Sequence, residues 1–323
     1  MVVHKDGRLI DAGIRDLPDF LTPGDTLVFN DTRVLPAALK GVRKARDEHG
    51  HDIEIDANLV EKVSEDTWLV MARPGKRLRS GDAIVFADGF SAQVQDKHAD
   101  GKLVLTFNRA GQDLVDALDQ HGDMPLPPYI ARKRPADASD RASYQTSFAG
   151  DQAASVAAPT AGLHFTPRLL ENIASAGICS ELVRLHVGLG TFAPLQQSQI
   201  DAGKLHEEWR EITETTASRL NAVRKNGRKC VAVGTTALRT LESSTLESGE
   251  IQAASGPTDI FLRPGYRFRA TDALLTNFHL PKSSLFMLVC ALMSTDIMQT
   301  AYAHAVRSDY RFYSYGDACL LLP

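Results

Sequence analysis

The second half of the chain repeats one pattern: an apolar, strand-like run closes in a burst of Gly, Thr, His or Asn, and a helix usually starts just after. The runs read VAAPTAGLHFT (156–166), LHVGLGTF (185–192), AVGTTALRTLES (232–243) and LLTNFHLP (274–281). In an open α/β sheet, polar residues at strand carboxyl ends collect along one rim, where helix-start amides remain unpaired and can bind a ligand. The pattern predicts an α/β fold, an open sheet with helices, whose active-site crevice follows that rim.

Between residues 37 and 107 the texture changes to short alternating runs (DIEIDANLV, TWLVMARP, DAIVFA, SAQVQD, KLVLTF) separated by Gly-containing turns. Closely spaced strands of this kind predict a small antiparallel β-barrel. The short strand before it ends in Asn30-Asp31-Thr32-Arg33, another polar burst, so the barrel reads as inserted. The expected division is an α/β catalytic domain over 1–36 and 112–323 with a barrel domain over 37–111. The Pro-rich segment MPLPPYI (124–130) is expected to return the chain as an extended connector. Thr166 can cap a helix that has Pro167 at its first position and Gly177 past its end. A Thr at 235 or 236 can cap a helix over 237–248, and Ser283 or Ser284 one over 285–293.

Hydrophobic residues make up 43% of 323 positions, enough for a sizeable core. The formal charge of -4 gives no global attraction to nucleic acid, so such a partner needs a local basic patch. Arg43, Lys44 and Arg46 form one cluster, Arg73, Lys76, Arg77 and Arg79 a second, and Arg132, Lys133 and Arg134 a third; each alone reads as a solvated face. The four cysteines lack CxxC spacing and read as reduced, buried thiols of a cytoplasmic protein. No basic-then-apolar leader opens the chain, and its longest apolar run, 285–293, is far short of a membrane span. Gly188-Leu189-Gly190 lacks the third glycine of a dinucleotide loop, and 74–77 lacks phosphate-loop spacing. His164, His186, His206 and His279 have no HxH or HxxxH spacing and no cysteine beside them, so no metal is expected. They read instead as acid-base or hydrogen-bonding groups, with a core imidazole bonded to a carbonyl as the alternative for His186. Arg239 can pair with Glu242 along one helix face or reach a carboxylate in the crevice.

The strings PTAGLHFT, LHVGLGTF, AVGTTALRTLES, LLTNFHLP and YRFYSYGDA, with FNDTRVLPA and MPLPPYI, resemble the S-adenosylmethionine:tRNA ribosyltransferase-isomerase family of queuosine biosynthesis. The resemblance runs over about residues 16–322. It implies an α/β domain with an inserted barrel, S-adenosylmethionine as co-substrate with no prosthetic group, and tRNA as the partner. The implied reaction joins the ribosyl group to 7-aminomethyl-7-deazaguanine at the wobble position, releases adenine and methionine, and leaves epoxyqueuosine. Members usually begin with a further stretch carrying an ELP-type motif and a strand, ahead of the position of Met1. Their paired-histidine pattern is reduced here to GKLHEE (203–208), so only His206 and Glu208 carry over as catalytic candidates.

In that chemistry His164 and His279 are expected as base and proton donor, in either order. Thr160, Gly162, Thr235, Thr236 and Asn277 offer small or polar groups for ribose and carboxylate, and Arg239 suits the methionine carboxylate. Asn30, Asp31 and Arg33 suit a guanine-like edge, and Tyr129, Tyr144 or Phe165 could stack on a flipped base. Arg132 and Lys133 are expected to meet tRNA phosphates, and the protein is expected to be a cytoplasmic monomer. A methyltransferase would use the same sulfonium but needs a glycine-rich loop that this chain lacks. A noncatalytic RNA-binding module would leave the His and Thr clusters unexplained.

Overall fold

The structure, a computed structural model, describes residues 1–131, 133–134, 136–151, 153–188 and 195–323. A nine-stranded sheet runs in the order Ala254–Ile260, Lys204–Ile212, Cys179–Leu185, Thr26–Asn30, Cys230–Val233, Ala273–Asn277, Ala318–Leu322, Val2–His4, Leu9–Ile10. Thr26–Asn30 is buried along its whole length and pairs in parallel with Cys179–Leu185 on one edge and Cys230–Val233 on the other. Strands covered on both faces need continuous apolar sequence, as in LVF of 27–29 and CVAV of 230–233. The register sets Asn30 opposite Val183, Phe29 opposite Val233 and Val233 opposite Leu275, which aligns four carboxyl ends along one rim. Ala318–Leu322 runs antiparallel to its neighbour with Ala318 opposite Asn277. The loop that precedes it therefore reaches the same rim.

Six antiparallel strands, Leu103–Phe107, Thr67–Arg73, Ile53–Lys62, Ala38–Arg43, Ala83–Ala87 and Phe90–Lys97, close into a barrel in that order. Leu59, Ile84, Phe90 and Leu105 fill a core of its own. The α/β sheet thus carries a closed antiparallel barrel, entered directly from the end of its central strand.

Helix starts follow the local chemistry. Thr166 accepts the Leu169 N–H ahead of Pro167, Gly177 follows that helix with φ 75°, and Ser283 accepts the Phe286 N–H. Three expectations change. Helix Thr235–Ser243 is capped by Gly234, whose φ of 89° turns the chain off its strand, so both threonines already lie in the first turn. That helix ends at Ser243 because Thr245 pairs with Ile251 across a turn. The Pro-rich connector is not extended throughout, since Pro128–Ala131 forms a helical turn that a proline can open. Among the cysteines, Cys230, Cys290 and Cys319 are buried and Cys179 is exposed. Among the described residues no single helix is long and apolar enough to cross a membrane, and Ser284–Met293 and Thr295–Arg307 meet at 115°.

Glu242, 3% exposed, does not pair with Arg239. It accepts the backbone N–H groups of Arg269, Ala270 and Thr271 and the Tyr266 hydroxyl, clamping the 266–271 return to helix Thr235–Ser243. Glu242→Ala strands these buried donors and is expected to lower the unfolding free energy by about 3 kcal/mol. Denaturant titration checks it, and a midpoint equal to wild type would contradict the clamp.

Candidate active site

Thr160–His164 forms a short 3-10 turn over the end of Ala273–Asn277. The Thr160 hydroxyl donates to Asn277 Oδ1 at 3.1 Å, and Asn277 Nδ2 lies 3.1 Å from His164 Nε2. An amide nitrogen only donates, so the neutral imidazole accepts at Nε2 and carries its proton on Nδ1. Burial holds the His164 pKa below its ordinary 6.5, with Asp317 opposing and Arg311 reinforcing the effect. His164, Tyr310, Arg311 and Asp317 line one cavity of about 430 Å³. Two residues beyond Asn277, His279 Nε2 sits 3.0 Å from the Thr276 hydroxyl, and the His279 N–H donates to the Tyr302 hydroxyl. Burial pushes the His279 imidazole down to about 4. Both histidines are therefore neutral near pH 7; His164 is held to the end of strand Ala273–Asn277 by Asn277, and His279 follows that strand two residues on.

A second cluster adjoins the first. Glu208 and Arg239 are both buried and form an ion pair, and Glu208 Oε1 also accepts the Gly188 N–H at 3.0 Å. Arg239 Nε and Nη2 and the Thr236 hydroxyl are buried without a hydrogen-bond partner among the described residues. Buried donors left unpaired are costly, so a site that keeps three of them is poised for an acceptor. Thr235 shares the first helical turn with Thr236, and their cap Gly234 lies so close to the Thr160–His164 turn that an added Cβ would meet Ala161 at 3.4 Å. Thr160, His164, Asn277, Thr235 and Thr236 thus lie together on the rim, and Arg239 with Glu208 continues it toward Lys204–Ile212.

Other sequence-predicted residues fall elsewhere or are already engaged. His206 is exposed on Lys204–Ile212 and shares no hydrogen bond with either cluster among the described residues. Gly162 is small for packing, because an added Cβ would stand 2.7 Å from Phe148 and 2.8 Å from Thr146. Asn30 braces two strands: its oxygen accepts the Thr32 and Leu185 N–H groups and its nitrogen donates to the Leu185 carbonyl. Asp31 is held by Arg184 at 2.9 and 2.6 Å, and Arg184 also reaches Glu211. Arg33 stands 3.7 Å from Asp119. Tyr144 and Phe165 are core residues, buried too deeply to stack on a base. Tyr129 is partly buried, and Lys133 is exposed. Arg132 lies outside the described residues. His186, partly buried, contacts the Thr32 hydroxyl and stacks on Trp209, and its ring bonds to no carbonyl among the described residues. Two features escaped the sequence reading: Glu208 as the partner of Arg239, 31 residues away, and Arg311 with Asp317 beside His164. The motif YRFYSYGDA signalled the second without showing what it faces.

Against known proteins, a family model described as queuosine biosynthesis protein matches residues 1–321. The S-adenosylmethionine:tRNA ribosyltransferase-isomerase of Hyphomonas neptunium is 65% identical, covering all of this chain and 92% of that protein. The enzyme of the same name from Maricaulis maris is 52% identical over 99% of this chain and 90% of its own. The crystal structure of S-adenosylmethionine tRNA ribosyltransferase from Thermotoga maritima matches with TM-score 0.53 and 32% identity, covering 100% of this chain and 91% of that one.

The desolvated His279 sets an acid limb to stability. A His279 pKa that falls from 6.5 to about 4 on folding means the unfolded chain binds the extra proton between those values. This contribution is complete above the unfolded pKa and is lost as pH falls toward about 4. His279→Gln is expected to flatten that decline by roughly 3 kcal/mol, read from denaturant midpoints across the window. An unaltered pH profile would refute it.

Proposed function

The chain belongs to the queuosine biosynthesis protein family, and we propose that it moves and isomerises the ribosyl group of S-adenosylmethionine onto 7-aminomethyl-7-deazaguanine at the tRNA wobble position. Adenine and methionine leave, and epoxyqueuosine remains in the RNA. The observation that carries this reading is the Thr160–Asn277–His164 hydrogen-bond chain at the rim, with His279 on the same strand end. The sulfonium acidifies the ribose C5′ protons, so a neutral imidazole can remove one while a proton donor assists the departure of adenine. His164, held at Nε2, offers the departing adenine a hydrogen bond from Nδ1–H and stays neutral; the proton that adenine gains is matched by the one removed from C5′, carried by the imidazolium of the base or by solvent. His279 can rest Nε2–H on the Thr276 hydroxyl and leave Nδ1 to take the C5′ proton.

The same reading gives the unpaired Arg239 and Thr236 donors to the methionine carboxylate, at the start of helix Thr235–Ser243 where the dipole favours an anion. Glu208 is then a positioning residue that holds the guanidinium in place, and the exposed His206 has no part in the chemistry. The portions 1–36 and 112–323 carry the reaction, and the 37–111 barrel is an inserted domain. Arg33, Tyr129, Lys133 and Arg134 are read as the RNA-facing groups.

With S-adenosylmethionine and tRNA bearing the precursor base, mass spectrometry is expected to find adenine and methionine; S-adenosylhomocysteine would instead mark a methyltransferase. His164→Ala is expected to lower kcat by about a hundredfold. Arg239→Lys keeps a charge opposite Glu208 but loses the fork, and is expected to raise KM for S-adenosylmethionine roughly ten- to a hundredfold. Arg239→Ala is the poorer probe, because it abandons a buried carboxylate and destabilises the fold itself. A normal KM in Arg239→Lys would remove Arg239 from the carboxylate site.

A further inference from the structure

The loop over 311–317 is wound back on itself and held rigid. The Arg311 N–H donates to Asp317 Oδ2 and the Asp317 N–H to the Arg311 carbonyl, each at 2.7 Å. Gly316 permits this closure, since a Cβ there would stand 2.4 Å from the Arg311 carbonyl. From this ring two tyrosines project: Tyr313 is 38% exposed and Tyr315 36%. Their inner sides are buttressed, Tyr313 by Tyr129 with ring centroids 5.0 Å apart and Tyr315 by the buried Tyr144 at 6.0 Å. The Tyr129 hydroxyl accepts the Ser314 N–H, and the Tyr313 N–H donates to the Phe278 carbonyl beside His279.

Two further observations give the surface a direction. Tyr313 has φ 75°, and Lys282 on the facing 278–283 loop has φ 60°, a region that non-glycine residues seldom enter and that clusters at binding sites. Cations outnumber carboxylates around the rings: Lys133, Lys282, Arg134 and Arg311 are exposed, against Asp137 beside Arg134 and Asp317 beside Arg311. Lys133 and Lys282 are exposed and make no ion pair among the described residues. The Arg134 side chain is 43% exposed over an Asp140 that is 2% exposed, and Arg311 is 75% exposed over an Asp317 at 32%. An approaching phosphate therefore meets Lys133, Lys282 and Arg311 before the Asp140 and Asp317 carboxylates, while Asp137 stands exposed beside Arg134. Arg311 and Asp317 also line the cavity that His164 enters.

Pre-organised aromatic faces ringed by cations are the physical requirements of unpaired nucleotides, whose bases stack and whose phosphates need neutralising. We propose that Tyr313 and Tyr315 form a stacking platform for the unpaired anticodon-loop nucleotides flanking the modified base. The proposal rests on the tRNA-directed reading above and adds to it the surface that holds the loop while one base is turned toward the histidines. A paired duplex offers no splayed bases and gains nothing from the platform.

Wild-type protein and the variants Tyr313→Leu, Tyr315→Leu, Tyr313→Phe and Tyr315→Phe are titrated with an anticodon stem-loop RNA and with a fully paired duplex of matched length. Each leucine variant is expected to lose roughly ten- to a hundredfold in affinity for the stem-loop. Each phenylalanine variant keeps its affinity, because the ring and not the hydroxyl does the stacking, and duplex binding stays unchanged in all four. KM for S-adenosylmethionine and the thermal midpoint remain near wild type. Leucine variants that bind the stem-loop normally, or that lose duplex and stem-loop affinity alike, overturn the platform. If wild type shows stem-loop binding sensitive to these substitutions but releases no adenine from S-adenosylmethionine, the platform stands and the reaction assigned above fails.

Discussion

Everything at the rim depends on the buried strand Thr26–Asn30 having parallel neighbours on both edges. Parallel neighbours cannot be joined by a tight hairpin, so each connection crosses a sheet face and returns, bringing every such strand to the same rim with the same polarity. Asn30 ends the strand and locks its alignment, since one amide side chain satisfies both the N–H and the carbonyl of Leu185. Were that register to slip, Leu185 and Val187 would leave the interior and Glu208 would lose the Gly188 amide.

Buried charge is handled by dedicated partners rather than by exposure. Asp31 meets Arg184, Glu208 meets Arg239, and Glu242 gathers three consecutive backbone amides. A buried pair contributes little net stability once desolvation is counted, and its value is geometric: each partner is held in one position. That trade leaves the buried edge of the Arg239 guanidinium in one fixed orientation. The buried histidines follow the same logic. Their desolvation disfavours the imidazolium, so the rings stay neutral near pH 7.

The barrel and the 311–317 loop join the rim at different strands. One is entered straight from Asn30-Asp31-Thr32, and the other leads into the strand beside Asn277. An RNA loop is far larger than a sulfonium co-substrate, so the proposed function needs two kinds of surface on this rim: buried donors for the small molecule and an exposed aromatic and cationic face for the polymer.

Much of this was legible in the sequence because the signals are local. A strand covered on both faces must be apolar without interruption, a barrel strand must alternate, and a Thr-Pro pair starts a helix; each follows from a few adjacent residues, and together they revealed an open sheet with an inserted barrel and a polar rim containing His164, Asn277 and His279. The errors were local as well. Gly234 capped the helix instead of a threonine because its left-handed φ serves the exit from the strand, a demand set by the strand's position and not by helix propensity. Tertiary structure alone decided which partner each polar group took. Arg239 found Glu208 and not the nearer Glu242, Asn30 became a brace, and His206 was turned to solvent, because these outcomes depend on the register of strands distant in the chain. Side-chain pairing energies of a few kcal/mol act only after burial has chosen which groups meet, and that choice is made by the whole sheet.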